Sequence, residues 1–372
     1  MEVKEKKVEL MELFYDLIYV YAIANMTLLI EEPENGVISW GMFVSYIVSS
    51  MVIIQAWLYM THYVNRYCEW RWYECVLMVL NMFAAMLMSR TITESWATAS
   101  LPFLSAMMAM MGCIAVLYII QFRANKPDAV YIKDTIEIIS IILLVYVLAL
   151  ALNLWGYKQE SLFIIAVNIL LGIILPFVGN GVYDPKFVSF PHLVERLELL
   201  TIVTFGEAVV GVAAYLDLSE LDSLSVLSFL LIILMFGCYV CQVHRMCDHH
   251  QVVDSGRMVW SHYAVILTIN MVTVALHYHH SGEADPLFTA ALMASSLLAF
   301  FLSLFSTSKY YHGRYSWTWR DYAMVLVFLV IGSTVMMVFS GDGLALIGGS
   351  VIASGAVFIY LVVKRFGVIV ES

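Results

Sequence analysis

Long apolar runs recur along the chain, separated by short polar segments. Twelve are long enough to cross a hydrocarbon core of about 30 Å as helices. They cover residues 10–30, 38–61, 73–90, 98–122, 134–155, 161–179, 193–216, 223–244, 257–278, 286–307, 320–340 and 343–364. Barrel strands would alternate polar and apolar positions over about ten residues, whereas these runs are continuous over roughly twenty. The pattern predicts an all-α integral membrane protein of about twelve transmembrane helices. The opening segment, Met1 to Lys7, is charged and leads straight into the first run. It has no short apolar core followed by a small-residue cleavage site, so the expectation is a retained anchor and no cleaved signal.

Composition supports the same class. Of 372 residues, 62% are hydrophobic and 13% are charged, against about 45–50% and about 25% in soluble domains. The mean hydropathy is +0.85. A soluble globule has no means of hiding that much apolar surface. Disordered, collagenous and disulfide-scaffold chains have other compositions. Six cysteines fall in spans, at their ends or in loops on one side, so no disulfide framework is expected. Cys238-x-x-Cys241 lies inside a span and is expected to pack as small apolar residues.

Loop charges give the sidedness. Lys4, Lys6, Lys7, Arg66, Arg71, Arg123, Lys126, Lys133, Lys186, Arg245, Arg257, Lys309, Arg314, Arg320, Lys364 and Arg365 fall on one side, and only Arg90 and Lys158 on the other. The bias places both termini in the cytoplasm. The net charge of −10 comes partly from outer-loop acids such as Glu31, Glu32, Glu34, Asp217, Glu220 and Asp222. These are expected to be a solvated face, with no nucleic-acid partner.

The chain also repeats itself. Val8-Glu9-x-x-Glu12-Leu13 matches Val194-Glu195-x-x-Glu198-Leu199 at an offset of 186 residues. Asn81-Met82 matches Asn270-Met271 at 189, and Lys133-Asp134 matches Arg320-Asp321 at 187. The expectation is two parallel six-helix repeats, residues 1–186 and 187–372, related by an axis along the membrane normal, with a working site between them.

Ionisable residues inside spans are costly and should face protein or water. Glu9, Glu12 and Asp16 share one face of the first helix. The seventh carries His192, Glu195, Arg196, Glu198 and Glu207. His192, Arg196 and Glu207 lie within about 60° of one another on a helical wheel. Glu207 follows Gly206, stands roughly 16 Å along the axis from Arg196, and is expected to exchange protons near neutral pH.

These segments resemble a known family. Glu12-Leu-Phe-Tyr-Asp16-Leu-Ile-Tyr-Val-Tyr-Ala22 resembles the opening signature of the bacterial low temperature requirement protein A family. His192-x-x-Glu195-Arg196-x-x-Leu199-x-Thr201-Ile-x-x-x-Gly206-Glu207 is similar to its second signature. The resemblance covers the whole chain. It implies a multi-pass protein of the bacterial plasma (inner) membrane. It gives weight to Glu12, Asp16, His192, Glu195, Arg196 and Glu207 over Glu198, and it names no substrate.

Other features are expected to be structural. His244 and Asp248 have a metal-compatible spacing, but headgroup contact is the favoured role, and the metal expectation is none. His249 and His250 fall on the same side, whereas His277, His279 and His280 fall on the opposite one, so a shared His-box site is not expected. Aromatic residues flanking Arg66, Arg71, Arg314 and Arg320 are expected to form interface belts in contact with anionic headgroups. Small residues between Gly348 and Gly355 permit close helix packing, within the protomer or in a homodimer. Asn81, Asn168, Asn270 and Gln55 are expected to form interhelical hydrogen bonds. No nucleotide-binding loop or nucleophile elbow is present, and no cofactor is expected.

Function is less constrained. The leading expectation is a proton-coupled secondary transporter for a small molecule or ion, with a central cavity lined by the first and seventh helices. Asp16 and Glu207 would exchange protons, and Glu12, Glu195, Arg196 and His192 would form a coupling network. The alternatives are a proton or cation channel, an intramembrane enzyme acting on a lipid or isoprenoid, and a structural or lipid-sensing role. Transport is favoured over catalysis.

Overall fold

A computed structural model describes residues 6–91, 96–124, 129–178, 188–216 and 222–371. Lys4, Lys126, Lys186, Asp217, Glu220 and the expected repeat boundary at 186/187 lie outside the described residues. Among the described residues twelve long helices follow one another: α1 (Leu10–Thr27), α2 (Trp40–Tyr67), α3 (Trp72–Thr91), α4 (Trp96–Arg123), α5 (Ala129–Leu154), α6 (Lys158–Val178), α7 (Phe190–Ala213), α8 (Ser223–Tyr239), α9 (Gly256–Ser281), α10 (Pro286–Ser306), α11 (Trp319–Val338) and α12 (Gly343–Glu371). Among the described residues, eleven helical segments are long and apolar enough to cross a membrane. The exception is α7, which carries Glu195, Arg196, Glu198 and Glu207 within 24 residues. The chain is an all-α, multi-pass membrane protein. α5, α6 and α11 keep most of their apolar side chains outward, as a lipid solvent requires. Trp40, Trp72 and Trp319 stand exposed at helix starts and Trp155 at a helix end, where amphipathic rings favour the membrane–water boundary.

The helices form two compact units. The first comprises residues 1–30, 40–196 and 250–255; the second comprises 31–39, 197–249 and 256–372. The division falls within α7, whose first turns through Arg196 belong to the first unit. In the first unit α1 packs on α3, α3 on α4, α4 on α5, α5 on α6, and α2 on α6. The Tyr59 hydroxyl donates to the Gly172 carbonyl at 3.2 Å. A Cβ on Gly172 would overlap the Gln55 amide, so glycine is what lets α2 and α6 approach. Asn168 ties α6 to α5 by donating to the Ile142 carbonyl at 3.0 Å.

In the second unit α9 packs on α10, α10 on α11, α11 on α12, and α8 on α12. α11 and α12 cross where Gly332 faces Gly349 and Ala353. A Cβ on Gly332 would sit 2.5 Å from the Ala353 Cβ and 2.8 Å from the Gly349 carbonyl oxygen. The small residues of the last span are thus helix–helix packing within the unit.

Two elements differ from the apolar pattern. α2 continues six residues past its expected end, to Tyr67. His62, Tyr63, Val64 and Asn65 are buried, so this polar turn is held by protein and stays helical. α8 passes into a π-helical turn, Val240–Met246, which the hydropathy pattern does not signal. Cys238 and Cys241 are buried around that transition, and all six cysteines are free thiols.

Candidate functional site

Four ionisable side chains of the first unit, Glu12, Asp16, His192 and Arg196, gather at one point. α1 presents Glu12, Tyr15, Asp16 and Tyr19 on its inward face, one or two turns apart, and all four are buried. α2 supplies Trp57 and Asn65, and the first turns of α7 supply His192 and Arg196, again all buried.

Arg196 is the centre. Its Nε donates to Asp16 Oδ2 at 3.1 Å, and Nη2 donates to Asp16 Oδ1, which makes the two-pronged fork that suits a carboxylate. The Trp57 indole donates to Asp16 Oδ1 at 2.7 Å. The guanidinium carbon lies 5.4 Å from the Trp57 ring centroid and 5.7 Å from that of Tyr15, within cation–π range. A cation and an anion are therefore paired out of water, with their remaining surface against aromatic faces.

Glu12 adds a second carboxylate. Its Oε2 is 3.3 Å from Arg196 Nη1 and 3.0 Å from His192 Nε2. The angles of both contacts fall short of hydrogen bonds, so they hold by charge and proximity. Its Oε1 accepts from the Glu9 backbone N–H at 3.4 Å, closing the capping box that starts α1. Glu9 itself is exposed, so Glu12 links the open end of α1 to the buried pair.

The protonation of His192 follows from its other neighbour. Asn65 Oδ1 accepts from the Ser189 backbone N–H at 2.8 Å, and its Nδ2 donates to the Ser189 carbonyl at 3.0 Å. Those two bonds fix which end of the amide is which. The same Nδ2 is 3.0 Å from His192 Nδ1. An amide N–H facing this nitrogen requires it to accept. His192 then carries its proton on Nε2, the nitrogen 3.0 Å from Glu12 Oε2. Two carboxylates, Glu12 and Asp16, share the one buried guanidinium of Arg196, and the Lys6 ammonium, which donates to the Val64 carbonyl, adds a second positive charge near Glu12.

Tyr15 and Tyr19 tie α1 to α3 and, through Asn81, to α4. The Tyr15 hydroxyl donates to Asn81 Oδ1 at 2.9 Å, and the Tyr19 hydroxyl donates to the same oxygen. Asn81 Nδ2 donates to the Met110 carbonyl at 2.9 Å. The Tyr15 and Tyr19 rings stack at 4.5 Å.

Of the six residues singled out from sequence, four converge: Glu12, Asp16, His192 and Arg196. Glu195 projects outward and is exposed. Glu207 is half-buried in the second unit, eleven residues beyond Arg196. Neither makes a hydrogen bond or ion pair with a described residue. Glu198 lies 3.2 Å from His244 Nδ1 and 3.8 Å from His249 Nε2, and Asp248 lies 3.7 Å from His312. Among the described residues no group of three or more His, Cys, Asp or Glu side chains is placed to hold a metal. Trp57, Asn65 and Ser189 complete the site and carry no spacing signal in the sequence. Trp57 is one aromatic among many, and Asn65 falls beyond the expected end of its span.

The family model described as Bacterial low temperature requirement A protein (LtrA) matches residues 7–359. All three helices that carry the cluster, α1, α2 and α7, fall inside that match. No curated protein matches the chain.

Proposed function

This chain belongs to the bacterial low temperature requirement A family, and from that membership and the buried cluster we propose that it is a proton-coupled secondary transporter. The observation that carries the reading is the buried pair of carboxylates, Glu12 and Asp16, gathered with His192 around the single buried guanidinium of Arg196. A charged group within a membrane costs at least about 2.5–3.5 kcal/mol, and a proton taken up by Glu12 removes one such charge. Asp16 is engaged by Arg196 and Trp57 and holds the guanidinium in place. Glu12 is the exchanging carboxylate, since it lies between the exposed end of α1 and that pair. Glu207, without a described partner, is the second candidate acid. Glu195 has no part in the cluster.

The halves that move are the two six-helix repeats. The order of helix neighbours supports them: α3–α4, α4–α5, α5–α6 and α2–α6 in one unit recur as α9–α10, α10–α11, α11–α12 and α8–α12 in the other. Repeats of this kind alternate access by rocking. The charge bias of the loops supports cytoplasmic termini, and the belts around Arg71, Arg314 and Arg320 support contact with anionic headgroups on that face.

The test is proton movement into proteoliposomes that hold a pH-sensitive dye under a potassium diffusion potential. Wild-type vesicles stay proton-tight until a transported solute is added from a panel of metabolites and ions. That solute drives proton entry, and Glu12→Gln loses the coupling. Proton flux without any solute, abolished by Glu12→Gln, contradicts obligatory coupling and makes the protein a channel.

A further inference from the structure

A cavity of about 460 Å³ lies between α10 and α11 in the second unit, within the range of small-molecule sites, about 300–1,000 Å³. Its length is apolar. Leu302 and Leu326 stand exposed at its walls, while Phe305, Val325 and Leu329 are buried in its floor. Its mouth is polar and lies where α9 starts, α10 ends and α11 starts. Arg257, Ser306, Ser308 and Tyr322 line it.

We propose that this groove binds one anionic phospholipid, with the headgroup phosphate at Arg257 and one acyl chain between α10 and α11. Arg257 is exposed, and no described carboxylate pairs with it. Its fork of donors is suited to a phosphate. The Ser308 and Tyr322 hydroxyls are 2.8 Å apart. Only one of two bonded hydroxyls spends its proton on the other, so the second O–H is free to donate to the same phosphate. Lys309 and Arg320, both exposed, follow Ser308 and precede Tyr322 closely in the chain and add positive potential at the mouth. A zwitterionic headgroup brings its own cation to a mouth that is already cationic. A free phosphate leaves the apolar length unfilled. The anionic phospholipid satisfies both ends.

The site is independent of the transport reading and shares no residue with the Glu12–Arg196 cluster. The full-length protein is exchanged into equal amounts of phosphatidylglycerol and phosphatidylcholine and analysed by native mass spectrometry. One phosphatidylglycerol stays bound in about fivefold excess over phosphatidylcholine, the scale of one basic residue near a membrane surface. Arg257→Gln brings the two lipids to parity, and Leu302→Trp, which fills the groove and keeps the charge, lowers occupancy by both. Equal retention by the wild type, an unchanged preference in Arg257→Gln, or displacement of the lipid by inorganic phosphate alone would each overturn the proposal. Should Arg257→Gln fail to fold, the Leu302→Trp protein decides: undiminished lipid retention places the lipid elsewhere.

Discussion

Replacing Arg196 by Met keeps most of the volume and removes the charge. Two carboxylates, Glu12 and Asp16, then share a dry site with a neutral histidine, because Asn65 keeps Nδ1 of His192 unprotonated. At an effective dielectric constant of about 20, a unit pair at the 3.1 Å between Arg196 and Asp16 attracts by about 5 kcal/mol. Desolvation of both partners offsets much of that in the intact protein. Deletion of one partner strands the other, and that loss is typically about 3–5 kcal/mol. Arg196→Met should therefore lose about 3–5 kcal/mol in a reversible unfolding titration in mixed micelles, followed by tryptophan fluorescence. Adding Asp16→Asn to the same chain removes one stranded charge and should restore at least about 1 kcal/mol of that loss. Asp16→Asn alone should destabilise as well, because Arg196 then faces Glu12 alone. A loss below about 1 kcal/mol for Arg196→Met, or a double variant no more stable than the single one, would refute the pairing.

Other expectations follow from single contacts. Asn65→Leu frees His192 Nδ1 and costs about 1–3 kcal/mol through the unsatisfied Ser189 backbone groups, measured by the same titration. Glu195→Gln touches nothing described and should stay within about 0.5 kcal/mol of the wild type. Gly332→Ala forces a methyl against the Gly349 carbonyl and Ala353 and should cost about 1–3 kcal/mol. Burial pushes the Cys68 thiol, in the turn between α2 and α3, up to about 12. At pH 8 only about one thiol in 10⁴ is then ionised, so in a chain retaining Cys68 alone maleimide labelling should be slow. It should rise tenfold per pH unit and become fast once the protein is unfolded.

Much of this architecture is legible in the hydropathy pattern, because a lipid solvent demands long apolar helices and little else satisfies it. Even α7 shows itself, as the one long helix whose length fits a membrane and whose charges do not. The cluster residues are legible for the same reason, since Glu12, Asp16, His192 and Arg196 are costly where they stand. Their pairing is not, because Arg196 and Asp16 are 180 residues apart and only the fold brings them together. Glu195 and Glu207 illustrate the limit from the other side: the family resemblance points to both, and the helical face to Glu207, yet the Glu195 side chain turns outward and Glu207 lies three turns away. Trp57 and Asn65 carry no pattern at all. They matter through one indole N–H and one amide, and single polar atoms leave no periodic trace. The π-helical turn after α8 and the extra length of α2 escape for a related reason, since local backbone geometry there follows tertiary contacts.

The α1–α2–α7 cluster is expected to take up one proton. Infrared difference spectroscopy across a pH jump reads it directly, through the C=O stretch of a carboxylic acid shielded from water. Wild-type protein should show one such band that changes across the jump, absent in Glu12→Gln and present in Glu207→Gln. A spectrum with no protonated buried carboxyl on either side of the jump, or a band that survives in Glu12→Gln, would contradict this reading.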